Sequence, residues 1–127
     1  MTSNVSARLT DDLVTAWITR YEHAWRTNDP ADIVALFTAD AEYHEEPYET
    51  HWIGRDAIVT GWRSRWGWQQ GGWEFSSEIT EISCDTVTIT GVGVYAELGT
   101  FDNRWTVTFT GDRCTRFHMV NTERDST

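Results

Sequence analysis

Lysine is absent from this chain: all ten of its basic residues are arginines, set against 20 acids. With no side-chain primary amine, Schiff-base and other lysine-dependent catalysis is excluded. Positive charge is also scarce. The formal net charge is −10, and a surface of that sign repels phosphate backbones, so no nucleic acid is expected as a partner. Cysteine is nearly missing. Cys84 and Cys114 lie outside any C-x-x-C spacing and read as two free thiols of a cytoplasmic protein. No apolar run approaches the roughly 18 residues of a membrane span. The opening stretch MTSNVSARLTDDL holds no apolar leader segment, so the expected location is the cytoplasm, with no membrane contact.

What is present is tryptophan, eight in 127 residues. The length is that of one domain, with a core at about residues 10–121, and such a domain holds together without disulfide or metal. Eight indoles exceed what one core of that size needs; a large, rigid ring with one N–H suits a pocket wall or an interface as well as a core.

The pattern along the chain is helical first and extended later. Thr10 is a candidate N-cap, followed by Asp11 and Asp12 where the helix dipole favours acid. Leu13, Val14, Trp17, Ile18, Tyr21, Ala24 and Trp25 then recur at helical spacing. Asp29-Pro30 opens a second short helix carrying Ile33, Val34, Leu36 and Phe37 and ending near 38–40. Residues 41–46 alternate as a strand, with Ala41, Tyr43 and Glu45 on one face and Glu42, His44 and Glu46 on the other. Residues 47–53, starting at Pro47, read as a loop. A third helix from Gly54-Arg55-Asp56 places Ile58, Val59, Trp62 and Trp66 on one stripe; Gly61 inside it implies close packing against a neighbour. Beyond the glycine-rich stretch 67–72, four strands are expected at about 73–83, 86–98, 103–110 and 113–121. Three helices followed by an antiparallel meander is an α+β pattern. In the third of those strands Trp105, Val107 and Phe109 should face inward, leaving Thr106, Thr108 and Thr110 on an outer face. Beside Arg116 and His118, that row suits a homodimer contact.

These segments resemble a known family. Tyr21-Glu-His-Ala-Trp-Arg-Thr-Asn-Asp-Pro, Ile33-Val-Ala-Leu-Phe, Trp52-Ile-Gly-Arg-Asp-Ala-Ile-Val-Thr-Gly-Trp62 and Asn103-Arg-Trp-Thr-Val-Thr-Phe resemble nuclear-transport-factor-two-like proteins, SnoaL-like domains in particular. The resemblance implies a cone: a curved antiparallel sheet wrapped on three N-terminal helices around one pocket. That fold hosts isomerases, cyclases, dehydratases, epoxide hydrolases and non-catalytic binders. Matched to ketosteroid isomerases of this fold, the phenol falls on Tyr21, the carboxylate base on Glu45 and a second pocket aromatic on Trp62. The protonated acid falls on Trp105, which has no such proton. The acid that SnoaL-like cyclases carry on the last strand is missing from Phe117-His-Met-Val, unless His118 substitutes for it. Epoxide hydrolases of this fold need an acid–arginine–acid set, and Arg104, the only arginine expected nearby, has outward parity.

The candidate catalytic residues are therefore Glu45, a carboxylate on an inward strand face where desolvation would raise its pKa, and Tyr21 on the helix stripe. Alternatively the strand end turns Glu45 into water and Tyr21 is structural. Candidate ligand-binding residues are Trp17, Trp25, Tyr43, Trp62, Trp66, Trp105, Phe117 and Met119, whose faces would enclose one cavity. His44, Glu46 and His51, spaced H-x-E-x4-H, fit no ligand pattern, so neither metal nor cofactor is expected. The expected partner is a small apolar molecule, either the substrate of an acid–base enzyme or the ligand of a non-catalytic binding domain.

Overall fold

The computed structural model describes residues 9–46, 50–69, 72–96 and 98–123. Helix α1 spans Asp11–Thr27; the Thr10 hydroxyl accepts from the Leu13 amide at 3.1 Å, and Asn28 closes the helix in the left-handed region at φ 56°. Helix α2 is Pro30–Val34, with the Asp29 carboxylate accepting from the Ala31 amide at 2.8 Å. It is shorter than its apolar spacing implies. The Leu36 carbonyl accepts from the Trp17 indole at 3.1 Å and from the Cys114 amide at 2.8 Å. Those long-range partners draw the chain out of the helix, and Phe37 opens strand β1, Phe37–Glu46.

Two further expectations are corrected. The segment 47–53 is not all loop: β2, Thr50–Ile53, pairs antiparallel with β1, setting Thr50 opposite Glu45 and Trp52 opposite Tyr43. The sheet is also mixed rather than wholly antiparallel. Helix α3, Arg55–Ser64, and a 3-10 turn, Trp66–Gln69, lead into β3 Trp73–Ser83, β4 Thr86–Tyr95, β5 Gly99–Thr110 and β6 Arg113–Glu123. The order is β2-β1-β6-β5-β4-β3, and β1 meets β6 in parallel. None of the described helices is long and apolar enough to cross a membrane.

Alternation then decides what is inside. Ala41, Tyr43 and Glu45 of β1, Val87 and Ile89 of β4, Trp105, Val107 and Phe109 of β5, and Phe117 and Met119 of β6 are all buried. They pack under Val14, Trp17, Ile18 and Tyr21 of α1, Ile33 of α2, and Ile58 and Trp62 of α3. Gly61 is required by its neighbour: the Trp52 ring occupies the space a Cβ would take. On the outer face Thr106 and Thr110 are exposed, and Thr106 and Thr108 pair in register with His118 and Arg116. His51, His44 and His118 form a row across β2, β1 and β6. His44 Nε2 lies 2.9 Å from Glu42 and His118 Nε2 lies 2.8 Å from Glu46. Among the described residues no group of three or more such side chains is arranged to hold a metal ion.

Candidate functional site

The filled core stops partway along the sheet, and residue size explains where. On one face of β4, Val87 and Ile89 are followed by Gly91 and Gly93. The Phe75 ring reclaims the space over Gly91, where a Cβ would meet it at 2.6 Å. Gly93 leaves room for no more than ordinary contact, with the Tyr95 ring 3.4 Å from where its Cβ would stand. Beyond it lies a cavity of about 350 Å³, lined by sixteen described residues, eight of them aromatic. Tyr95, Phe101 and the exposed Leu98 and Glu123 lie toward one end, which is therefore its mouth.

The aromatic walls come from four elements. Trp25 projects from α1, Trp73 and Phe75 from β3, Tyr95 from β4, and Phe101 and Trp105 from β5. Phe75 stacks on Trp105 at 5.0 Å and 11°, and on Trp73 at 5.9 Å and 11°. Trp25 is inclined to Trp73 by 59°, and Tyr95 meets Phe101 at 84°. Met119, Asn103 and Asn121 complete the sheet side. The Asn103 side-chain oxygen accepts from the Trp105 indole at 3.2 Å, holding that ring in place.

The remaining wall is polar. Tyr21 and Tyr43 share one hydroxyl–hydroxyl hydrogen bond of 2.9 Å. Burial raises both phenols well above the ordinary tyrosine range, and the nearby Glu45 charge raises them further, so both are neutral donors at any physiological pH. Two phenolic protons and one shared bond leave one proton for another acceptor. Glu45 is buried and paired with Arg65, whose guanidinium donates to it at 2.5 Å and to the Thr50 hydroxyl at 2.8 Å. Arg65 also lies over the Trp52 ring, 4.5 Å from its centroid, a favourable cation–π geometry. Trp52 in turn stacks on Tyr43 at 5.1 Å.

Arg65 reaches this position because α3 ends there. It is the C-cap residue, its amide bonded to the Trp62 carbonyl at 3.0 Å. The Asn28 side-chain Nδ2 donates to the same carbonyl at 3.2 Å, fixing the end of α3 to the end of α1.

Of the residues chosen from the sequence, Tyr21, Trp25, Tyr43, Glu45, Trp105 and Met119 line the cavity together. Trp17, Trp62 and Phe117 do not. They are fully buried in the core, Phe117 stacked behind Tyr43 at 4.5 Å. Trp66 does not either: the helix ends before it, and its ring is 48% exposed. The arginine facing the site is Arg65 rather than Arg104, and Glu45 is not the cavity's only carboxylate, since Glu123 stands at the mouth. Sequence reasoning also missed Trp73, Phe75, Tyr95 and Phe101. Trp73, Phe75 and Tyr95 sit on strands whose inward face was never assigned, although Trp73 and Phe75 alternate with Glu74 and Ser76.

No curated protein matches this chain. Several solved structures share its fold. A protein of unknown function with a cystatin-like fold from Methylobium petroleophilum is 14% identical, with a TM-score of 0.74 over 94% of this chain and 82% of that one. A nuclear-transport-factor-two-like protein of unknown function from Mesorhizobium loti is 17% identical, with a TM-score of 0.68 over 94% and 97%. A hypothetical protein with a ketosteroid isomerase-like fold from Catenulispora acidiphila, solved in complex with trimethylamine, is 23% identical, with a TM-score of 0.66 over 87% and 85%. At these identities the likeness is one of fold. The SnoaL-like domain family matches residues 18–122, and the chain belongs to that family.

Proposed function

We propose that this chain is a small-molecule pocket protein whose cavity takes up a compact, largely apolar compound bearing a ring and an oxygen able to accept a hydrogen bond. The observation that carries this is the cavity itself. About 350 Å³ walled half by aromatic rings, with the tyrosine pair as a donor on one wall, has the size and composition of a small-ligand site. Calorimetric titration with 2-naphthol, a neutral ring with one oxygen, tests it. Saturable binding to the wild-type chain that is lost in Gly93→Leu, which fills the cavity, is the expected result. No saturable binding by the wild type would sink the reading.

A second reading, an acid–base enzyme, is favoured by one placement: Glu45 and the tyrosine pair share a wall. In it Glu45 accepts a proton from carbon while a phenol donates to the carbonyl oxygen. Weighing toward binding alone, Glu45 is held by Arg65 and the two phenols by each other. Cyclohexanone in D₂O separates the two. Deuterium appearing at the α-carbons with the wild type, and not with Glu45→Gln, supports catalysis; no exchange above buffer leaves binding.

A further inference from the structure

The charges around the cavity narrow the ligand class further, on the footing that the cavity is a binding site. Among the described lining residues there are two carboxylates, Glu45 and Glu123, and one cation, Arg65. Arg65 is committed to Glu45 and Thr50. Tyr21 and Tyr43 are neutral, because burial holds their phenols protonated. The remaining formal charge is therefore the Glu123 carboxylate at the mouth, on a chain whose net charge is −10. An anionic ligand would meet repulsion and no uncommitted positive group in this lining.

The rings supply the complement. Aromatic faces carry negative potential and attract cations, most strongly where water is excluded. Here Trp25, Trp73, Phe75, Tyr95 and Phe101 do not form one flat stack. The stacked pair Trp73 and Phe75 meets Trp25 at 59°, and Tyr95 stands at 84° to Phe101, so the ring planes around the cavity are inclined to one another rather than parallel. The protein already uses this chemistry around the cavity: Arg26 lies 4.9 Å above the ring of the lining residue Trp73, and the lining residue Arg65 lies 4.5 Å above Trp52 behind it. We infer that the ligand is an organic cation, an alkyl- or aryl-ammonium whose charged head is surrounded by rings, with Glu123 drawing it in at the mouth.

An isosteric pair tests this. Phenyltrimethylammonium and tert-butylbenzene have the same shape and differ in charge. Calorimetry or the upfield shift of the ligand methyl protons should show the cation binding at least tenfold more tightly. Phe75→Leu should cut that preference several-fold while leaving tert-butylbenzene nearly unaffected, and Glu123→Gln should weaken the cation alone by about twofold to fivefold. Equal affinities, or tighter binding of the neutral compound, would overturn the cation assignment and leave the pocket reading standing. Failure of both to bind while 2-naphthol still binds would likewise overturn the cation assignment and leave the pocket reading standing; failure of all three would remove the pocket reading and the inference with it.

Discussion

One inward face of this sheet does two different things along its length. Toward the α1–α2 end, Phe109 and Val107 of β5, Val87 and Ile89 of β4, and Phe117 of β6 are buried in the core. Toward the other end the same strands offer Asn103 and Phe101, Gly93, and Asn121 and Glu123, and a cavity opens. The backbone alternation does not change between the halves; residue size and polarity do. A cone can therefore acquire a pocket without altering its strand register, by setting glycine and amide side chains where the other half has branched and aromatic ones.

Substitutions in the two halves should then behave differently, and the core should be the less tolerant. Trp62→Ala removes a fully buried indole and should cost about 3–5 kcal/mol in chemical denaturation, the usual loss for a large core aromatic. Trp62→Phe keeps a ring and deletes an indole N–H that has no hydrogen-bond partner among the described residues, so it should cost well under half as much. Equal losses would mean that the indole shape itself is required.

Next in size is the ion pair at the boundary between the halves. Glu45→Gln leaves the buried Arg65 guanidinium without its counter-charge, which should cost about 3 kcal/mol. The double variant Glu45→Gln with Arg65→Met should recover part of that loss. If the double variant is as unstable as the sum of the two single variants, the pair is not coupled as the structure shows.

Gly61→Ala probes the same boundary from behind. A methyl there displaces Trp52, the ring beneath Arg65 and against Tyr43, and should cost about 1–3 kcal/mol as an overpacked site does. It should also weaken ligand binding, although residue 61 does not line the cavity. Unchanged stability would mean that the Trp52 ring moves aside freely.

Smallest of all should be Gly93→Ala. A Cβ at Gly93 would stand 3.4 Å from the Tyr95 ring, at the edge of ordinary contact, so stability should change by less than about 1 kcal/mol. Because that methyl enters the cavity, affinity for ring ligands should still fall. A large loss of stability would mean that the cavity half is packed as tightly as the core.

How much of this could be read from the sequence divides along the same line. The core half was legible because its signals are periodic: the α1 stripe through Trp17 and Tyr21, and the alternation of Trp105, Val107 and Phe109. The inward placement of Glu45 followed from the same period-two logic. The cavity half was less so, because a pocket is marked by interruptions of a pattern. Gly91 and Gly93 carry no side chain, so periodicity has nothing to place on either face there. Arg65 has no such signal, because the apolar stripe Ile58–Trp62 continues at helical spacing to Trp66. Helix termination decided otherwise, sending Trp66 outward and Arg65 in. The parallel pairing of β1 with β6 has no local signature at all, since it joins segments far apart in sequence.

That pairing carries a kinetic consequence. Thr38 bonds Thr115 across 77 positions of chain, and β1 has β6 as its neighbour on one side and only the short β2 on the other. As the polypeptide leaves the ribosome, β1 must therefore wait through the synthesis of α3 and three further strands before its larger edge is covered. The α1–α2 hairpin and the β3–β4 ribbon can form early from local contacts, whereas closing the sheet incurs the loop-closure entropy late. Until β6 arrives, the Phe37–Glu46 edge stands open to strands of other molecules, so overproduction at high temperature should favour aggregation through that segment before it harms the finished fold.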